Sequence, residues 1–198
     1  MKKQLSPYSG FTIKWATLEW EKQQAYALRR MVFCKEQALF EESDLDHVDH
    51  FSHLIVALGS YGGWHEEVVG TVRIHETKPG SWAGSRLAVS EPYRCQSLLG
   101  PALIKLAVSS AHGLGCRSFF AQVQVQNQRL FERMHWAKIG DIFLRGKEHV
   151  TMQANLAHYP PNFLPERGVV VRSRPQRRLD HLRTPLLSMP VSTVQQVA

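Results

Sequence analysis

Apolar and polar residues alternate from Phe11 to Ala16, which predicts a first strand. From Trp20 to Glu36 the period changes: Ala25, Leu28, Val32 and Phe33 recur at helical spacing with Glu and Lys between them, so a helix is expected. An acidic stretch, Glu41 to Asp49, follows. His53 to Leu58 is a β-prone run closed by Gly59, Tyr61 to Glu67 with Gly62 and Gly63 reads as a loop, and Val68 to His75 as a strand that returns along the first as a hairpin. Pro79 and Gly80 mark a turn before a strand from Ser81 to Val89.

The second half repeats these periods in another order. A loop from Tyr93 to Leu99 holds Arg94, Cys95, Gln96, Ser97 and Leu98. A helix is then entered at Gly100 and Pro101, with proline at the first helical position, where its missing N–H leaves no bond unmade. Leu103, Ile104, Ala107, Val108 and Ala111 form its buried stripe, and Gly113 and Gly115 end it. Phe119 to Gln126 alternates strictly, with Ala121, Val123 and Val125 on one face and Gln122, Gln124 and Gln126 on the other. Asn127 is expected to cap a helix through Met134. Strands around Ile139 to Leu144 and His149 to Leu156 complete an α/β (α+β) domain of order β, α, β, β, β, α, β, α, β, β. Arg86 to Trp136 is its centre: strand, loop and helix in that order put unpaired N–H groups and the positive end of a helix at the C-terminal end of a strand, where a phosphate can sit.

Composition bounds the function. At 198 residues, 43% hydrophobic and with five Trp, the chain is globular. Runs such as Leu54 to Leu58 fall far short of the roughly 20 residues that span a membrane, and Lys2 and Lys3 lead directly into polar residues, unlike a secretory leader. Three cysteines, Cys34, Cys95 and Cys116, form no paired framework, so a reducing, cytoplasmic setting is expected. The net charge is +7, but residues 157–198 carry six Arg against Glu166 and Asp180, a net of +4, leaving +3 for the rest. That segment is also proline-rich, so 1–157 reads as the domain and 158–198 as an extended or disordered tail. No aromatic residue lies among Arg172, Arg174, Arg177 and Arg178, which argues against nucleic acid as a partner.

Three stretches, taken in order, resemble the Gcn5-related N-acetyltransferase (GNAT) superfamily over Phe11 to Leu156. Arg30-Met-Val-Phe33-Cys-Lys-Glu36-Gln37, with Asp44, Asp49 and His53-Leu-Ile-Val behind it, is similar to "R-x-x-V-F-x-x-E-Q … D … H-L-V". Arg86-Leu-Ala-Val-Ser-Glu-Pro-Tyr-Arg94 is similar to "R-L-x-V-x-P-x-x-R", and Asn127-Gln-Arg-Leu-Phe131-Glu-Arg-Met-His135-Trp136 to "N-x-x-L-Y-E-K-L-G-F". The opening also looks like that of acyl-homoserine-lactone synthases. The closing run, Val123-Gln-Val-Gln-Asn127 with Gly146, His149 and Met152-Gln-Ala-Asn-Leu156, looks like acetyltransferase-like proteins encoded beside nitrilases in bacterial nitrogen-starvation clusters.

The resemblance implies a mostly antiparallel sheet, flanked by helices and splayed at a central parallel pair, Leu87 to Val89 and Ala121 to Val125, with acetyl-CoA between them. Backbone groups at Leu87, Ala88 and Val89 would hold the pantetheine arm, the Arg94 to Pro101 loop the pyrophosphate, and Asn127 and Phe131 would line the same site. It also implies an amine acceptor, here a small molecule. Its protein partner would be a second copy or another enzyme of the same pathway.

Two departures stand out. The family loop runs Q/R-x-x-G-x-G/A, whereas Ser97 and Leu99 stand at its glycine positions and Gly100 comes one residue late. Either the loop is one residue longer and Gly100 serves, or phosphate contact is weakened. Phe131 stands where many relatives place a proton-donating tyrosine, which leaves water or His135 as donor, or none; His135 is as readily a helix-end residue beside the last carbonyls.

An alkylamine with a pKa near 10.4 sits over three units above neutral pH, so supplying the free amine costs about 4 to 5 kcal/mol unless the site helps. Glu36 is the first candidate base; the plainer reading is an exposed carboxylate or a partner of Arg30. Arg30, Phe33, Asp44 and Gln126 are expected at the acceptor side, and Gln124 and Gln126 to orient the reactants or simply to face solvent. Asp44, Asp46, His47, Asp49, His50 and His53 match no closed zinc spacing, so no metal is expected; a solvated acidic loop, or one that attracts a cationic acceptor, fits better. A catalytically silent CoA-binding or partner-binding protein is the alternative to an enzyme. Acyl-homoserine-lactone synthesis is a third reading, resting on the opening alone.

Overall fold

Residues two apart in a strand share a face, and in this chain the two faces feed two different cores. The computed structural model describes residues 8–61, 64–94 and 98–172. In β1 (Gly10–Trp15) Phe11 and Ile13 enter the larger core, while Lys14 on the opposite face is buried with Glu21 at 2.7 Å. In β2 (His53–Tyr61) Ile55 and Ala57 join the larger core; Leu54, Val56 and Leu58 pack with Ala25 of α1 (Glu19–Arg30) in the smaller one. The Glu21 carboxylate also accepts from the N–H groups of Thr17 and Leu18, fixing the start of α1.

Beyond Arg30 the helix widens. Over Met31–Glu36 the turns take five residues, with Gln37 N–H donating to the Val32 carbonyl at 3.0 Å, and Val32 and Phe33 pack on Ala88. The sheet continues through β3 (Trp64–Lys78), β4 (Ser81–Val89), β5 (Ser118–Gln124), β6 (Trp136–Leu144) and β7 (Lys147–Ala154). The β2–β3 hairpin runs on to a Tyr61–Trp64 pair, so most of the span expected as a loop is strand.

With β8 (Val169–Arg172) the sheet has eight strands in the order β6-β7-β5-β4-β3-β2-β1-β8. All neighbours are antiparallel except β4 and β5. This is the mixed α/β sheet of the expected fold class. α2 (Leu99–Gly113) and α3 (Gln128–Arg133) cover the larger core, where Leu103, Val108, Phe119, Phe131 and Trp136 meet. No helix among the described residues is long and apolar enough to cross a membrane.

Several local expectations are corrected. α2 begins at Leu99, so Pro101 is its third residue, still within the first turn. β5 stops at Gln124, and Val125, expected on the buried face, turns into a tight helical turn and is 44% exposed. Asn127 precedes α3 without a side-chain cap, because its own backbone is already helical at φ −98° and ψ −6°. The segment after Ala157 belongs to the packed body as far as Arg172: Tyr159 is buried with Trp136 Nε1 donating to its hydroxyl at 2.9 Å, and β8 pairs with β1. The tail beyond Arg172 lies outside the described residues.

Candidate active site

β4 and β5 stay in register only from Ser81–Ser118 to Gly84–Ala121. At this point β4 also loses register with β3: Ser85 pairs with Arg73 and Ala88 with Thr71, so Arg86 and Leu87 together oppose Val72. This bulge carries Arg86 at φ +55° and bends β4 away from β5. A cleft of about 420 Å³ opens where the strands part, lined by Arg86 and Leu87 on one side and by Gln122, Val123 and Gln124 on the other.

Strand alternation makes the two ends of this cleft unlike. Toward α2 its walls are apolar: Ile104, Ala107, Val108, Phe119, Phe131 and Trp136. Phe131 lies edge-on to Trp136 at 5.0 Å. Toward the widened helix the walls are mixed: Phe33, Leu39 and Phe40 stand beside the polar Gln37 from the end of that helix, Gln124 of β5 and His149 of β7. Gln124 and His149 are direct partners across the antiparallel β5–β7 ladder and so share a face. Gln124 Nε2 donates to Gln37 Oε1 at 3.1 Å and its Oε1 accepts from Gln126. His149 Nδ1 lies 3.0 Å from the Lys147 carbonyl; the ring donates there and leaves Nε2 as an acceptor.

A roof over the polar end comes from two loops far apart in sequence. Phe40 follows the widened helix, and Arg145 lies 4.1 Å above its ring; Arg86 approaches the same ring at 4.6 Å. Arg145 and Gly146 form a two-residue hairpin turn with φ of +49° and +73°, between the paired Leu144 and Lys147. Lys147 Nζ reaches the Gln37 carbonyl at 3.4 Å.

Beneath the cleft lies a buried ionic network. Arg29, fully buried, donates to Asp44 at 2.7 Å and to Asp49 at 2.6 Å. Arg73 pairs with Asp46 and Asp49, and Arg86 with Asp44 and Asp46. Three guanidiniums thus neutralise three carboxylates and pin the 44–49 loop to β3 and β4. Burial alone would raise the Asp49 carboxyl, but hydrogen bonds from Arg29 and the Asp46 N–H hold it down at about 2.

This geometry sorts the expected residues. Leu87, Gln124, Asn127, Phe131 and Phe33 line the cleft; Ala88 and Val89 pack beside it in the cores. Leu98, Leu99, Gly100 and Pro101 form the start of α2, where a side chain added at Gly100 would meet nothing within 4 Å. Arg94 leads toward it, donating from Nε to the Val89 carbonyl at 2.8 Å. Cys95, Gln96 and Ser97 lie outside the described residues. Glu36 is not among the lining residues, and its partner is Arg94 at 2.5 Å rather than Arg30.

Other expected residues fall away from the cleft. Arg30 is exposed on the outer side of α1, beside a second depression; its buried neighbour Arg29 anchors the network. Asp44 is 1% exposed and held by Arg29 and Arg86, so the aspartates at 44, 46 and 49 are engaged by arginines and not free to attract cations, while Glu41 and Glu42 are exposed. Gln126 is exposed beyond the end of β5. His135, at φ +63°, follows α3 where the motif has glycine, and stacks at 3.6 Å on His158 on the outer surface. It does not face the cleft.

The sequence model of the Acetyltransferase (GNAT) family matches residues 14–136. Among solved structures, an acyl-CoA N-acyltransferase from Pseudomonas aeruginosa superposes with a TM-score of 0.60 at 19% identity, over 73% of this chain and 98% of its own. Escherichia coli ElaA gives 0.61 at 17%, over the same share of this chain and 98% of its own. An acetyltransferase of the GNAT family from Staphylococcus aureus Mu50 gives 0.58 at 13%, over 74% and 99%. At these identities the likeness speaks for the fold. No curated protein matches the chain.

Proposed function

The chain belongs to the Acetyltransferase (GNAT) family, and from that premise we propose that it moves an acetyl group from acetyl-CoA to the amine of a small molecule, by direct attack with both substrates bound. The observation that carries this reading is the cleft at the β4–β5 divergence, apolar toward α2 and carrying polar groups, Gln37, Gln124 and His149, at its other end. Acetyl-CoA supplies the activated acyl thioester.

The residues present fit such a co-substrate. Pairing of β4 with β5 ends at Gly84–Ala121, so the β4 backbone beyond it has no β5 partner at the cleft wall and is suited to hold an amide-rich arm and polarise a carbonyl. The N–H groups of Leu99 and Gly100 have no partner within α2, and the bare Gly100 lets a phosphate come close, which supports Gly100 as the late substitute for the family's glycines.

Deprotonation of the acceptor falls to His149 in this reading. Its Nε2 is a free acceptor in the polar half of the cleft, whereas Glu36 is engaged by Arg94 outside it. Glu36 then serves to hold Arg94 beside the pyrophosphate loop. Gln124, fixed by Gln37 and Gln126, orients the reacting groups. A cytoplasmic setting suits Cys34 and Cys116, both free and buried.

A second reading, a CoA-binding protein without turnover, is favoured by one observation: Phe131, at the apolar wall, has no proton to donate to a departing thiolate. Release of CoA thiol from acetyl-CoA across an amine library separates the two. Turnover with at least one amine supports the transferase, and tight CoA binding without turnover supports the silent binder.

A further inference from the structure

Resting on the transferase reading, we infer that the acceptor is an amine that also carries a carboxylate, and that Arg145 receives that carboxylate. The argument turns on which charges at the polar end are already engaged. Among the described lining residues the carboxylate is Asp46. Its Oδ1 accepts from Arg73 at 2.5 Å and from the Val48 N–H at 3.0 Å, and its Oδ2 from Arg73 at 3.2 Å and Arg86 at 3.1 Å. An incoming ammonium finds no open oxygen there. Glu36, outside the cleft, is held by Arg94, and Glu148 projects to the opposite face from His149 by strand alternation.

Arg145 is in a different position. It lines the cleft, yet among the described residues it makes no ion pair and no side-chain hydrogen bond. Its guanidinium carbon sits 4.1 Å from the centre of the Phe40 ring, and with no partner on its N–H groups among the described residues the fork is open for a bidentate carboxylate. The tight hairpin turn fixes its backbone. Arg86 is already neutralised by Asp44 and Asp46, so the charges left without a carboxylate at this end are Arg145 and Lys147, which repel a second ammonium and attract an anion. Arg145 would then hold the carboxylate while Gln124 and His149 receive the amine. The ligand class is a small amino acid rather than a diamine or polyamine.

The test pairs free amino acids, with the amine α, β or further from the carboxylate, each with its own amide, and adds a diamine. CoA-thiol release from acetyl-CoA is one readout, and calorimetric titration of the same compounds into CoA-saturated protein is the other. The best acid should exceed its amide in kcat/KM by about tenfold or more. Arg145→Asn keeps the turn, because Asn-Gly suits two positive-φ positions, and should bring that ratio close to one. Equal use of acid and amide, preference for the diamine, or an acid preference that survives Arg145→Asn overturns the inference. If acetyl-CoA binds but no amino acid is bound or acylated, this inference falls and the transferase reading stands on other amines. If acetyl-CoA itself does not bind, both fall.

Discussion

Arg94 and Glu36 are joined by an ion pair of 2.5 Å, from Nη2 to Oε2, across 58 positions of sequence. The pair ties the end of the widened helix to Arg94, five residues before α2, and in the proposed reading links the acceptor end of the cleft to the phosphate end. It is partly solvent-exposed, so its role is positional and it adds little to stability. Glu36→Gln should therefore raise the KM for acetyl-CoA severalfold and leave the shape of the pH–rate profile unchanged. Steady-state kinetics across pH checks this; a profile that loses an ionisation would make Glu36 the base instead.

His149 carries the opposite expectation. Removing a positioned base costs about 10²-fold or more in kcat. His149→Gln should lose that much while acetyl-CoA affinity, measured by calorimetry, is kept. The same rate with and without His149 would remove it from proton transfer.

The Phe131 ring lies in the cleft wall against Trp136. If the thiolate leaves without a protein donor, Phe131→Tyr supplies one and should raise kcat severalfold at constant KM. No change in stopped-flow thiol release would show that the proton already comes from elsewhere.

The ionic network makes stability depend on acid. The Asp49 carboxyl falls from its ordinary 3.8 to about 2 in the folded chain, so between these values the unfolded chain binds more protons than the folded one. Stability from this group is complete above about pH 4 and is lost as pH falls through about 2; Asp46 is shifted in the same direction, its hydrogen bonds and ion pair with Arg73 outweighing desolvation. Chemical denaturation at stepped pH should show stability declining steeply below pH 4. Arg29→Met, which leaves Asp44 and Asp49 buried without their main partner, should cost about 3 to 5 kcal/mol at neutral pH.

The elements of this fold were legible because periodicity reports burial directly. The alternation from Phe119 and the stripe from Leu103 to Ala111 each mark one packed face; the stripe is found where the pattern puts it, and the alternation holds through Val123 but not at Val125, where the strand has already ended. The site was legible only in part, since its residues meet through contacts that leave no periodic trace. Phe40, Arg145 and His149 converge through a loop and a hairpin more than 100 positions apart. Arg29 and Arg30 are neighbours with identical side chains, and only the helix rotation decides that Arg29 is buried and Arg30 exposed. The engagement of Asp44, Asp46 and Asp49 leaves no mark in the local sequence, because their partners Arg73 and Arg86 lie on distant strands. β8 escaped notice because four residues ending at Arg172 gain their order from pairing with β1.

The most direct test of the account is calorimetric titration of acetyl-CoA and CoA into the purified protein. The cleft at the β4–β5 divergence, with Gly100 open at the start of α2, predicts micromolar binding of both. No detectable binding at near-millimolar ligand would contradict the account and mean that this cleft has given up phosphate recognition.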